Sequence, residues 1–149
     1  MRTSARVIDA GFRALNRFHR LVVRVSGGRI GSRAYGLDMV ELTTVGRRTG
    51  RPHTTMLLVP LTEGTDLVIV ASKGGDSRDP DWLKNLLVTP TVQVRMRGRV
   101  TKMLARVATP EEHAVWWPRV VAHYSHYEGY QRRADRLIPL VICTRLDGD

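Results

Sequence analysis

Two glycine-framed basic turns carry the most distinctive chemistry of this chain: Gly46-Arg47-Arg48-Thr49-Gly50-Arg51-Pro52 and Ser72-Lys73-Gly74-Gly75, each ending an apolar, strand-like run. Glycine lets the backbone turn sharply and aim several N–H groups at one point, while Arg and Lys add full positive charge. Each turn can therefore hold a phosphate or carboxylate. Two of them in one small chain suit an elongated acidic ligand. Either turn alone is equally consistent with an ordinary hairpin connection whose charges are solvated.

A second set is aromatic. Tyr124, Tyr127 and Tyr130 recur every three residues and would share one helical face, within the polar stretch His123-Tyr124-Ser125-His126-Tyr127-Glu128-Gly129-Tyr130. Core packing is one reading of them. A wall over a flat aromatic ligand explains the polar residues between the rings better. Asn85, three residues after Trp82, can hydrogen-bond a ligand held by Lys73 or can stand exposed on its helix; Trp82 itself reads as packing.

Other chemistries lack their residues. Gly46 to Gly50 is followed by neither Gly-Lys-Ser/Thr nor a helix, so it is no Walker A loop, and no Gly-x-Gly-x-x-Gly follows a strand. The five histidines have no metal-site spacing beyond the His123/His126 pair, so no metal is expected. Ser72 sits in neither a Ser-x-x-Lys motif nor a nucleophile elbow. The single Cys143 excludes an internal disulfide and, lying in Pro139-Leu140-Val141-Ile142-Cys143, reads as a buried strand thiol.

The elements that must position these groups follow from periodicity. Residues 4 to 25 carry Val7, Ile8, Phe12, Leu15, Phe18, Val22 and Val25 at helical spacing with five arginines among them, a basic amphipathic helix. Met39 to Val45 and His53 to Leu61 read as a hairpin around the first basic turn. Leu67 to Ala71 is a strand buried on both faces. Asp79 can N-cap a helix that starts at Pro80 and runs to about Val88. Thr91 to Arg97 alternates as a half-buried strand, and Arg99 to Val107 pairs with it. Thr109-Pro110-Glu111-Glu112 is a capping box opening a helix in which Pro118 introduces a kink or a restart before about Asp135. Leu137 to Arg145 is the last strand. Six or so strands in hairpin succession, with connections too short for parallel crossovers, predict an antiparallel α+β domain closed into a small, partly open barrel.

At 149 residues, 42% hydrophobic and 26% charged, the chain suits one globular domain over 31–149 behind the helix of 1–30. No apolar run is long enough to span a bilayer, and no uncharged signal-peptide core is present, which suits a cytoplasmic location. The net charge of +10 concentrates anionic ligands without naming them.

Taken as a set, Leu42-Thr43-Thr44-Val45-Gly46-Arg47-Arg48-Thr49-Gly50, Ala71-Ser72-Lys73-Gly74-Gly75, Asp79-Pro80-Asp81-Trp82-Leu83-Lys84-Asn85-Leu86, Trp116-Trp117-Pro118, the three tyrosines and Asp135-Arg136-Leu137-Ile138-Pro139 resemble the deazaflavin-dependent nitroreductase family, which includes F420H2-dependent quinone reductases. The resemblance runs from about residue 36 to 145. It implies a split β-barrel of the FMN-binding type holding coenzyme F420, a deazaflavin with a phosphodiester-linked lactyl and polyglutamate tail. By position, Arg47, Arg48 and Thr49 match the turn that meets the phosphate and acidic tail. Ser72, Lys73 and Gly74 match the loop beside the cofactor, and Asn85 matches a helix position facing it. Tyr124, Tyr127 and Tyr130 match aromatics that shape the acceptor pocket. The second strand departs from the pattern at His53, Met56 and Leu58, where relatives often carry a basic residue, a proline and an aromatic.

The implied function is an F420H2-dependent reductase that passes a hydride to a quinone-like, enone or nitroaromatic acceptor, with Tyr130 or water serving the acceptor oxygen. The alternatives are an FMN-dependent oxidoreductase on the same barrel, a non-catalytic F420 or lipid carrier, and a basic nucleic-acid-binding domain; the last has charge but no recognised motif, so no nucleic-acid partner is expected. The N-terminal helix suits either an anionic membrane surface, peripheral to the cell membrane, or packing on the barrel.

Overall fold

The structure, a computed structural model, describes Arg13, Asn16, Arg17, Arg33, Ala34 and residues 36–146. The helix expected over residues 4 to 25, and the 1–30 segment as a unit, lie outside the described residues apart from Arg13, Asn16 and Arg17, which are helical.

The elements run β1 (Arg33–Ala34), β2 (Leu37–Val45), β3 (Pro52–Val59), β4 (Leu61–Glu63), β5 (Asp66–Val70), a 3₁₀ turn (Lys73–Gly75), α1 (Asp81–Val88), β6 (Thr91–Met96), β7 (Arg99–Val107), α2 (Pro110–His123), α3 (His126–Arg133) and β8 (Leu140–Arg145). All the strand pairs are antiparallel. The main run is β3-β2-β6-β7-β8-β5-β4, and β1 shares with β6 the edge of β2 opposite β3. The sheet curls until β3 packs beside β5, where no ladder joins the two. That unpaired seam makes the barrel a split one.

The α+β split barrel expected from the sequence is the fold observed, with β1 and β4 as short strands beyond the six or so anticipated. The residues His53 to Leu61, read as one strand, form two because Pro60 has no N–H for a ladder and interrupts them. β5 is buried on both faces as expected. Leu67 and Ile69 enter the barrel core with Val40, Leu42, Val92, Val94 and Leu86, while Val68 and Val70 join a second core with Val120, Tyr127, Ile138 and Leu140. Cys143 is buried in β8, and burial pushes its thiol up to about 12.

Two helix boundaries differ from expectation. Pro80, not Asp79, is the N-cap of α1: its backbone is extended and its carbonyl accepts from the Leu83 and Lys84 N–H groups, while the Asp79 carboxylate pairs with Arg136 at 3.0 Å. α2 runs unbroken through Pro118 and ends at His123; the interruption falls at Tyr124-Ser125. At its start the capping box forms as the sequence predicts, with the Glu112 N–H donating to Thr109 Oγ1 (3.2 Å) and the Thr109 N–H to Glu112 Oε1 (3.0 Å).

Candidate active site

A cavity of ≈ 860 Å³ opens at the seam, lined by Thr54 to Leu57 of β3 on one side and by Val70 and Ser72 to Gly74 on the other. The first basic turn, Gly46 to Thr49, and Trp82 and Asn85 of α1 close one end; Arg13 and Arg17 also reach the lining. Its volume falls in the range of roughly 300 to 1,000 Å³ usual for small-molecule sites. The edge of β3 exposed by the missing ladder is partly satisfied there. The Met56 N–H donates to Asn16 Oδ1 at 3.2 Å, a side-chain substitute for a strand partner.

The first turn is rigid by construction. Gly46 N–H donates to Arg51 O (2.7 Å), Gly50 N–H to Gly46 O (2.8 Å), and Arg51 N–H to Thr49 Oγ1 (3.2 Å). A Cβ on Gly46 would lie 2.7 Å from the His53 ring and 2.9 Å from Thr49 Oγ1, so the position accepts only glycine without displacing both. Asn85, 3% exposed, locks the turn to α1: its Oδ1 accepts from the Arg47 N–H (3.2 Å) and Nη1 (2.9 Å), while its Nδ2 donates to Thr44 Oγ1 (3.1 Å). Arg47 Nη2 reaches Asp81 at 3.3 Å. Arg47 is thereby drawn along the helix, and Arg48 stands exposed as the turn's outward charge.

The second turn holds three successive left-handed residues, Lys73 (φ 45°), Gly74 (φ 65°) and Gly75 (φ 88°). For the glycines this is cheap; for Lys73 it is not, and such conformations persist only where the surroundings impose them. A Cβ on Gly75 would stand 2.9 Å from Tyr130 O, so α3 abuts the turn from behind. Asp76, which closes the turn, is held at about 2 chiefly by its hydrogen bond from the Arg78 side chain.

Charge and polarity are sorted within this space. Arg13, Arg17, Arg47, Arg48 and Lys73 line it against one carboxylate among the described lining residues, Asp81. Met39, Met56, Leu57, Val70 and Trp82 supply apolar wall. The arrangement can hold a polyanionic tail at its basic turns and a flat ring in its drier part.

All seven residues expected at the cofactor, Arg47, Arg48, Thr49, Ser72, Lys73, Gly74 and Asn85, line this single cavity. The tyrosines are placed elsewhere. None of Tyr124, Tyr127 and Tyr130 is among the lining residues; their rings form an edge-to-face chain with centroids 4.8 and 6.0 Å apart in the second core. Tyr127 is buried there, and burial raises its hydroxyl above the usual phenol range. Tyr124 falls between the two helices, so helical spacing alone does not unite the three. Tyr130 is half-buried beside the second turn, with the Arg133 guanidinium 5.2 Å from its ring centroid.

Sequence reasoning assigned no site role to Arg13, Asn16, Arg17, His53 or Trp82, all of which line the cavity. The i, i+4 spacing of Arg13 and Arg17 placed them on one helical face, but nothing in the sequence said what that face would meet.

Comparison with known proteins gives this site its chemical context. The family model described as F420H(2)-dependent quinone reductase matches residues 15–145. The F420H(2)-dependent quinone reductase Rv1261c of Mycobacterium tuberculosis is 36% identical over 135 residues, covering 88% of this chain and 90% of the relative. A solved structure of an F420-H2 dependent reductase, FDR-A, is 37% identical with a TM-score of 0.64, covering 70% of this chain and 92% of its own. A second solved structure, whose description reads only domain-swapped dimer, is 34% identical with a TM-score of 0.66 and covers 85% of this chain and 95% of its own. An oxidoreductase that uses reduced F420 on a split β-barrel, the chain belongs to the F420H(2)-dependent quinone reductase family.

Proposed function

We propose that the seam cavity is where F420 binds and that the chain delivers reducing equivalents there to a quinone-type acceptor. The observation that carries this reading is the convergence of both basic turns on one cavity. The donor set fits the cofactor: a phosphodiester and several carboxylates need distributed cations and backbone N–H groups, and the two turns offer both within a volume suited to a tricyclic ring. Arg48, Thr49, Ser72, Lys73 and Gly74 would contact the ligand directly. Arg47 and Asn85, whose polar atoms already serve each other, would shape the first turn.

When bound, reduced F420 supplies the hydride. The chain's own contribution is to fix approach and exclude water, for which Met56, Val70 and Trp82 form the apolar wall. Tyr130 is proposed as the hydroxyl that hydrogen-bonds the acceptor oxygen as negative charge develops on it; its backbone abuts Gly75 of the second turn, and its ring, which lies outside the cavity lining, would have to swing from the second core toward the bound acceptor to do so. Tyr124 and Tyr127 support it by packing. Enones and nitroaromatics share the polarised oxygen of a quinone and are proposed as further acceptors. The basic N-terminal segment, an amphipathic helix on the sequence reading, is proposed to bring the site to an anionic membrane surface, where lipid-soluble quinones reside, through its arginines other than Arg13 and Arg17, which line the cavity.

Anaerobic oxidation of F420H2 by menadione tests the reading. Turnover that requires both the protein and the quinone supports it; binding of F420 without turnover of any quinone, enone or nitroaromatic leaves a carrier instead. Sedimentation with anionic vesicles at low salt tests the membrane contact, and full-length protein that stays in the supernatant contradicts it.

A further inference from the structure

Lys73 sits in a left-handed backbone conformation that two short-range bonds close over, Gly75 N–H to Ser72 O (2.9 Å) and Asp76 N–H to Lys73 O (3.2 Å), while Arg133 Nη2 donates to Gly74 O at 3.3 Å; none of the three reaches the carbonyls of Ala71 or Asp76 that flank the turn. Another side chain from far along the sequence does. Arg136 Nη2 donates to Ala71 O (2.9 Å) and Ser72 O (3.3 Å), and its Nε donates to Asp76 O (3.2 Å). Its Nη1 meets Asp79 Oδ1 at 3.0 Å. One guanidinium thus ties carbonyls on both sides of Lys73. Only a planar fork of several donors can do this; the single ammonium of lysine cannot cover the same span.

Arg136 is itself held. Its carbonyl accepts from Gln131 Nε2 (2.7 Å), and Gln131 Oε1 accepts from the Ile138 N–H (2.8 Å), so the segment after α3 is fixed before the guanidinium reaches the turn. The Arg136 side chain is 15% exposed, is absent from the cavity lining, and has its charge matched by Asp79. It is built to hold the turn, not to meet a ligand.

We propose that Arg136 is a positioning residue for Lys73: by clasping the Ala71 to Asp76 backbone it sets the left-handed turn that aims Lys73 into the cavity, and so sets affinity for the cofactor's acidic tail. The proposal rests on the reading that the cavity binds F420. Its distinguishing consequence is coupling, because a residue that acts through Lys73 loses its effect when Lys73 is gone.

The test is a double-mutant cycle of Arg136→Gln and Lys73→Ala, with F420 titrated by fluorescence and folding checked by circular dichroism and thermal melting. With Lys73 present, Arg136→Gln should weaken F420 binding about tenfold or more; with Lys73→Ala, the same change should cost less than about threefold. Arg136→Lys, which keeps the charge but not the fork, should behave like Arg136→Gln and serves for the cycle if the glutamine variant does not fold. Arg106→Ala, which removes a bidentate pair with Glu112 away from the cavity, should leave affinity within about twofold. Equal penalties in both backgrounds, or unchanged affinity in a folded Arg136 variant, overturn the proposal alone. Failure of the unaltered protein to bind F420 overturns the cavity reading and the proposal with it.

Discussion

The amide of Asn85 accepts from two donors of one residue, the backbone N–H and Nη1 of Arg47, and so makes the first basic turn an extension of helix α1. Its Nδ2, bonded to Thr44, ties the same point to β2. Asn85→Leu would strip these partners from a site that is almost fully enclosed. Leaving buried donors unsatisfied costs about 1–3 kcal/mol, to be read as a lower urea midpoint. F420 affinity should fall as well, because Arg48 rides on the same turn. A variant with unchanged stability and affinity would show that the turn holds its shape without the amide.

The barrel strands were legible because period-two patterning and turn residues agree, as in Thr91 to Met96, where Val92 and Val94 are buried and Gln93 is exposed. The basic turns were legible for a similar local reason: glycine and charge occur together at strand ends. What local pattern could not supply was direction. Tyr124, Tyr127 and Tyr130 have the spacing of one helical face, but α2 ends just before Tyr124, and the side they cover is a second core outside β5, a matter of how the helices cross the barrel. Arg136 stood in a recognisable motif, yet its bonds to Ala71 and Asp76 span some sixty positions and exist only once the chain has folded.

The tyrosines separate by substitution. Tyr127→Ala should destabilise the domain by about 3–5 kcal/mol, the usual cost of deleting a buried aromatic ring. Tyr130→Phe should lower turnover with menadione more than it changes F420 affinity. If turnover by Tyr130→Phe matches the unaltered protein, the acceptor-side role is withdrawn and the tyrosines are packing throughout.

Acid should loosen the start of α2. The Arg106 side chain, with help from the Thr109 N–H, lowers the Glu112 carboxyl from 4.5 to about 2. A depressed value means that the stabilisation is present above the unfolded value and is lost as pH falls from about 4.5 toward 2. Glu112→Gln should therefore flatten that part of the stability profile while leaving its shape above pH 6 alone. An identical acid slope in the variant would place the transition on other carboxylates.

Selectivity between cofactors follows from the two turns. F420 presents a phosphodiester and several carboxylates to them, whereas FMN presents one terminal phosphate. F420 should bind more tightly than FMN, and its affinity should fall with added salt as exposed charge pairs are screened. FMN binding of equal or greater strength would remove the basis for reading both turns as tail contacts.

The most direct measurement is the F420 dissociation constant of the Arg48→Ala/Lys73→Ala double variant beside that of the unaltered protein. Each substitution removes a charge-assisted contact worth about 1–3 kcal/mol, and neither residue belongs to the hydrophobic core, so the variant should fold normally and bind F420 at least about tenfold more weakly. A folded double variant with an unchanged dissociation constant would contradict the assignment of the seam cavity to the cofactor.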